Sequence, residues 1–264
     1  MPNQTGLPRQ AAPLGSFTVN RMGYGAMQLA GPKTRGDYYG PFVVNEIIRE
    51  ALDPYPADLV LVTKVGALRG DDGSWKPAFS KKQLIKAIHD NLRRLNREAI
   101  DVVNLRSMFS QIGPAEGSLD EPLAVLTDLQ KEGVIRHIGL SNVTPKQVAD
   151  GRRMTAIACV QNQYNLVHRT DDALIDALAA DGIAYVPFFP LGGFSPIQSD
   201  GLSQVAADLG ATAMQVALAW LLQRAPNILL IPGTSSRAHL HENMAAAHLT
   251  LPAEAIARLE ALGA

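Results

Sequence analysis

The chain has 264 residues, 47% of them hydrophobic, with 24 Lys+Arg against 25 Asp+Glu, a net charge of −1 and an isoelectric point near 6.6. That length suits one large domain or two small ones, and regular element spacing without a break in composition favours one. The near-neutral balance removes any electrostatic case for nucleic acid or an anionic membrane as partner and leaves a metabolite-sized ligand.

Cys159 is the only cysteine, which rules out an internal disulfide and fits a reducing compartment; its apolar strand pattern marks it as a buried structural thiol. Met1 to Leu14 lacks the apolar core of a signal peptide, and no run approaches the roughly 20 apolar residues that span a bilayer. A soluble, cytoplasmic protein is expected.

Residues 1–16 read as a flexible tail and 17–264 as one domain. Phe17 to Leu29 is extended, the first barrel-type strand, preceded by a short hairpin arm; Gly23 and Gly25 permit close backbone approach to a neighbour. Residues 30–41 are a turn-rich link, and a helix follows from about Phe42 to Leu52 with Val43, Ile47, Ile48 and Ala51 on one face. The strand Leu59 to Val65 carries Lys64 near its end. Gly70 to Trp75 is then a polar loop of the kind that covers a site. Ser80 caps a helix whose Leu84, Ile85, Ile88, Leu92 and Leu95 recur at helical spacing, with His89 beside them as packing or solvated surface. Ile100 to Arg106 is a strand, and a helix from about Glu121 to Lys131 stops at Gly133.

The stretch from Arg136 to Pro145 organises the rest: an apolar run ends in Ser141 and Asn142, and Thr144-Pro145 is an N-cap followed by proline at the first helical position. Ala158 to Asn165, Ile183 to Leu191 and Ile228 to Thr234 repeat that grammar. Thr170-Asp171-Asp172 starts a helix that Gly182 ends, the acidic pair serving as cap and dipole compensation. Thr212 caps Ala213 to Arg224, and the last helices are about Ala238 to Ala247 and Pro252 to Leu262. In a parallel α/β protein, polar side chains at carboxyl-terminal strand ends face the ligand crevice.

Several patterns in this order resemble the aldo-keto reductase family: Gly23-Tyr24-Gly25-Ala26-Met27, Tyr39-Gly40, Val62-Thr63-Lys64, Gly139-Leu140-Ser141-Asn142, Val160-Gln161-Asn162-Gln163-Tyr164-Asn165, Pro190-Leu191-Gly192, and Ile231-Pro232-Gly233-Thr234-Ser235 ahead of Glu242-Asn243. The run Asp101 to Arg106 and the Ile-Pro-Gly-Thr-Ser form resemble a bacterial branch that includes pyridoxal reductases. The resemblance implies a TIM (β/α)8-type barrel that binds NADPH, with NADH less favoured, and transfers hydride to a small-molecule carbonyl. Tyr39 matches the family's acid and Lys64 its partner, whose ammonium lowers the phenol's pKa. Ser141, Asn142 and Gln161 match the positions that hydrogen-bond the nicotinamide carboxamide. Phe188 matches the aromatic that stacks on the ring, and Leu191 and Gly193 would lie along the pyrophosphate. Gly233, Thr234, Ser235, His239, Glu242 and Asn243 occupy the region that holds the 2′-phosphate and adenine. Two histidines two apart, His239 and His241, point different ways on a helix, so no metal is expected.

Two departures bear on the chemistry. Arg106 stands where the family usually has histidine; it cannot shuttle a proton near neutral pH but can donate to a carbonyl oxygen or hold an anionic group. The link before the helix after Tyr39 is also too short for a helix and a strand with their turns, so seven strands are recognisable, not eight. Four readings stay open at this point: a stretch passed over in the numbering, a gap bridged by neighbours, the tail or a second subunit, an NADPH-binding relative that has lost turnover, and a pocket remodelled for non-redox cyclisation or rearrangement. Asp37 is a candidate replacement for the carboxylate normally found before the tyrosine. A monomer or a homo-oligomer fits, the latter where an open edge needs cover.

Overall fold

The computed structural model describes residues 11–30, 41–70, 74–192 and 199–262, and its contacts cluster into two compact units: Ala26–Gln161, and Met1–Gly25 together with Asn162–Ala264. Tyr39 and Gly193, like Asp37, lie outside the described residues.

The unit Ala26–Gln161 is built on four parallel strands, Val62–Val65, Ile100–Arg106, Ile135–Ser141 and Ile157–Gln161, lying side by side in sequence order. Parallel strands covered by helices read as continuous apolar runs, and Ile100 to Leu105 is buried throughout. The helices Pro41–Leu52, Lys81–Leu95, Asp120–Lys131 and Pro145–Met154 belong to the same unit. Ser80 and Thr144 close capping boxes with Gln83 and Gln147, so each helix starts where the sequence places it. Leu84, Ile88, Leu92 and Leu95 are buried, Ile85 is half-buried and His89 is exposed.

Gly139 explains how this sheet is filled. A Cβ there would overlap Asn104 Oδ1 and stand 2.7 Å from Cys159 Sγ. The bare backbone lets those two side chains meet across it, with the thiol donating to Asn104 Oδ1 at 3.2 Å. Burial pushes the Cys159 thiol up to about 12, so it stays an inert neutral group, as expected for a structural thiol.

In the other unit a hairpin pairs Ala11–Leu14 with Phe17–Asn20. The ordered arm therefore includes residues from the stretch read as a tail. The extended run then ends sooner than its pattern suggests: Met22 forms a parallel bridge to Leu230, but Ala26–Ala30 is a 3-10 helix. Tyr185, in the two-residue strand Ala184–Tyr185, bridges in parallel to Ile228. Arg21 locks this assembly, its buried guanidinium donating to the carbonyls of Ile228 at 3.0 Å and of Leu222 and Ala225 at 2.7 Å. Gly25 and Gly233 lie back to back: a Cβ on Gly233 would stand 2.5 Å from the Gly25 carbonyl oxygen. That is the close approach anticipated for Gly25, and it gives Gly233 a packing role of its own.

Helices Asp172–Ala180, Asp200–Asp208, Ala213–Arg224, Arg237–Ala245 and Ala253–Glu260 complete this unit. The Asp200–Asp208 helix, capped by Ser199, has no counterpart in the sequence reading. Trp220, Tyr164 and Tyr185 form its aromatic core, with the Tyr164 and Trp220 rings stacked at 6.1 Å. All seven expected strand segments thus contain parallel-paired residues among the described residues. No single described helix is long and apolar enough to cross a membrane.

Candidate active site

Register carries the strand-end residues of the first unit to one level. Arg106 pairs with Ser141 and Ser141 with Gln161, so three candidate side chains lie in one row. Lys64 pairs with Asn104, two residues before Arg106, which puts the lysine and the arginine on the same face of neighbouring strands.

Burial of the Lys64 ammonium and the nearby Arg106 guanidinium pull its pKa from 10.5 to about 8, while Cys159 acts weakly the other way. The lysine is surrounded by protein, yet its side chain keeps exposed surface. Water reaching it weakens the desolvation penalty and leaves the Arg106 charge as the durable cause. Arg106, half-buried, stacks over Trp75 at 5.5 Å from its ring centroid, and Arg69 does so at 4.8 Å. Trp75 is held by the hairpin Ala67–Arg69 with Trp75–Pro77, which brackets the loop expected to cover a site.

Asn142 sits in the left-handed region with φ 58, a conformation asparagine tolerates. Its backbone N–H donates to the Gln161 carbonyl at 3.0 Å. Its side-chain Nδ2 donates to Ser107 O at 3.0 Å, with longer bonds to Gly113 O and Ser110 O. Those donors fasten the 107–113 loop, leaving only Oδ1 of that amide for a ligand. Gln161 differs: it is 2% exposed, and its Oε1 is buried with no hydrogen-bond partner. A buried acceptor without a donor carries a desolvation cost that a ligand N–H would relieve. Ser141 is equally buried, its carbonyl accepting from Ser107 N at 2.8 Å.

Two residues that the sequence does not single out as site candidates belong to this neighbourhood. Asn104 Nδ2 and Ser107 Oγ are buried and lack partners. The signal for Asn104 was available: an asparagine inside an otherwise apolar strand is a polar group that needs a reason to be there.

The second unit holds the remaining candidates. Phe188 is half-buried and edge-on to Phe189 at 5.3 Å, while its backbone N–H donates to Asn162 O at 2.9 Å. Leu191 is half-buried. Ser236 caps the Arg237–Ala245 helix, accepting from His239 N at 3.4 Å. Thr234 is buried, with its Oγ1 accepting from Ser236 N at 3.0 Å and its carbonyl from Tyr24 OH at 2.5 Å. Glu242 accepts from the Thr212 hydroxyl, tying two helices together, and Asn243 is buried. Ser235, Arg237 and His239 are exposed at the helix amino terminus, where peptide N–H groups and positive charge suit a phosphate. The acidic pair meets its expected role in part: Asp172 lies in the first turn of its helix, but Asp171, at the N-cap position, makes no side-chain cap, because Asn162 and Tyr185 donate to its carboxylate.

Each unit by itself offers groups of the kind a nicotinamide dinucleotide needs. In the first, Gln161 has an unused buried acceptor; in the second, Phe188 has a partly open ring and the Arg237–Ala245 helix an exposed amino terminus. Among the described residues no group of acidic, histidine and cysteine side chains could hold a metal ion.

Over residues 35–196 and 197–264 the chain matches the family described as the aldo/keto reductase family. It is 59% identical over 276 residues to pyridoxine 4-dehydrogenase of Escherichia coli (strain K12), covering 94% of this chain and 96% of that protein. Since 94% of 264 residues is about 248, some 28 aligned positions carry no residue of this chain. Among solved structures, the thermostable aldo-keto reductase Tm1743 with the inhibitor epalrestat is similar at a TM-score of 0.80 and 24% identity, covering 96% of this chain and 99% of that one. An aldo/keto reductase from Klebsiella pneumoniae in complex with NADP and acetate is similar at a TM-score of 0.77 and 22% identity, covering 96% and 95%. With strand-end chemistry, parallel topology and these likenesses in agreement, the chain is an oxidoreductase with an α/β fold of TIM-barrel type and belongs to the aldo/keto reductase family.

Proposed function

We propose that the protein reduces a small aldehyde or ketone to the alcohol with NADPH, and that pyridoxal is its leading substrate. What supports this is the register row of Arg106, Ser141 and Gln161 beside a lysine whose pKa is drawn down to about 8. The similarity to an E. coli pyridoxine 4-dehydrogenase supports the substrate, since pyridoxal is the aldehyde that such an alcohol oxidation yields.

When bound, NADPH supplies the hydride. The residues of this chain do the rest. Gln161 Oε1 would accept from the carboxamide, with Ser141 and Asn142 Oδ1 completing that end. Phe188 would pack against the ring, Leu191 and Gly193 would follow the pyrophosphate, and the Gly233 to Asn243 segment would receive the phosphate and adenine end. Tyr39 delivers a proton to the carbonyl oxygen as charge develops there, and Lys64, while protonated, lowers the cost of leaving the phenol ionised. Arg106 orients the carbonyl by donating to its oxygen, a task that suits a rigid planar donor held against Trp75. The protein works in the cytoplasm, where Cys159 stays reduced.

The positions missing relative to the E. coli protein favour one second reading, a silent NADPH-binding relative. Fluorescence titration with NADPH, followed by its absorbance on adding pyridoxal and a panel of simple aldehydes, separates the two. Consumption of NADPH with pyridoxal supports the reductase. Tight binding without consumption across the panel leaves only the silent protein.

A further inference from the structure

Asp171 occupies the N-cap position of the Asp172–Ala180 helix but caps nothing with its side chain. One oxygen, Oδ2, accepts two hydrogen bonds of 2.8 Å, from Tyr185 OH and from Asn162 Nδ2. Both donors are buried almost completely, and both lead to residues with proposed cofactor roles. Asn162 directly follows Gln161 in the chain. Tyr185 ends the strand that runs into Phe188, and the Phe188 N–H returns to the Asn162 carbonyl at 2.9 Å. Gln163 and Phe188 also bridge in parallel. Burial first and Asp171 second raise the Tyr185 phenol far above its ordinary range, so it remains a donor at any working pH.

The neighbouring Asp172 faces a different set. It accepts from Tyr164 OH at 2.5 Å and from Arg224 Nε at 3.2 Å, and Arg224 also pairs with Asp176, so this carboxylate ties helices to the aromatic core. The adjacent acids therefore divide their work. One holds the helical layer, and the other holds the two backbone segments that carry Gln161 and Phe188.

We propose that Asp171 is a positioning residue for the nicotinamide end of the cofactor: by gripping Asn162 and Tyr185 through one oxygen, it fixes the two backbone segments between which Phe188 is held. The proposal rests on the NADPH reading above. It makes a claim that a purely structural role would not: only the nicotinamide half of the ligand should notice the loss of Asp171.

The test compares NADPH with 2′-phospho-ADP-ribose, which keeps the phosphate and adenine end and lacks the nicotinamide, by calorimetric titration of the purified full chain. Asp171→Asn should raise the Kd for NADPH roughly tenfold, the worth of about one charge-assisted hydrogen bond, and leave the fragment's Kd within about twofold. Tyr185→Phe keeps the buried ring and removes one of the two donors, so it should shift NADPH alone in the same direction by roughly threefold; it carries the test where Asp171→Asn fails to fold. Equal losses for both ligands, or an unchanged NADPH Kd in the folded variants, would overturn the proposal while leaving the reductase reading intact. A wild-type protein that binds neither ligand overturns the reductase reading and this inference with it.

Discussion

Lys64→Met should make the protein more stable and less active. Below pH 8 the folded protein carries an ammonium in a site where its pKa has dropped from 10.5 to about 8, so the charged form is disfavoured there relative to the unfolded chain. Unscreened, that drop would cost the folded state about 3 kcal/mol; because the side chain keeps exposed surface, we expect about 1 kcal/mol. The sign follows from proton counts. Between about pH 8 and 10.5 the unfolded chain binds more protons at this site than the folded one, so wild-type stability gains from this lysine as pH rises through that window. The cost is fully present below it and absent above it. Urea unfolding of both proteins near pH 7 should place Lys64→Met about 1 kcal/mol above wild type, and the gap should close by about pH 10.5. A variant no more stable near pH 7, or a gap that does not narrow at high pH, would refute the assignment of an unfavourable charge to Lys64.

Other substitutions probe separate parts of the account. If protonated Lys64 assists the proton donor, the reduction rate should fall as pH rises through about 8 in a pH profile of kcat/KM. Arg106→Gln removes the positive neighbour, so the alkaline limb should move upward in pH and the KM for the carbonyl should rise. Gly139→Ala places a methyl group against Asn104 Oδ1 and Cys159 Sγ; chemical denaturation should show a loss of about 1–3 kcal/mol. Thr212→Ala opens the capping box of the Ala213–Arg224 helix and releases Glu242, and should cost about 1 kcal/mol, read as a fall of about 2–4 °C in Tm.

Helix starts were the most legible part of the sequence, because a cap is a local event. Ser80, Thr144 and Thr212 each show a hydroxyl three residues before a glutamine, and each closes a capping box in the structure. Strand ends were legible in part: the runs ending at Val65, Arg106 and Ser141 stop where the parallel strands stop, whereas the run read from Ala158 to Asn165 ends as a strand at Gln161. What stayed hidden depends on partners distant in sequence. Nothing local distinguishes Asp171 from an ordinary cap; only the arrival of Tyr185 and Asn162 redirects its side chain. The extended run read to Leu29 stops early because its backbone bonding to the 230–232 segment ends at Gly25, after which Ala26–Ala30 closes into a 3-10 helix. The Asp200–Asp208 helix was missed although Ser199 caps it, because the cap is followed by Asp200-Gly201, a pair that reads as a turn. Gly139 looked like part of a motif; its packing reason appears only when Asn104 and Cys159 meet over it.

The central claim is that Tyr39 gives a proton to a carbonyl while NADPH is consumed. Single-turnover kinetics on wild type and Tyr39→Phe, each preloaded with NADPH and mixed with pyridoxal, tests it most directly. The account predicts equal NADPH affinity in the two proteins and a rate of NADPH consumption lower in the variant by about 10²–10⁴-fold. Equal rates in the two proteins, or no NADPH consumed by the wild type, would contradict it.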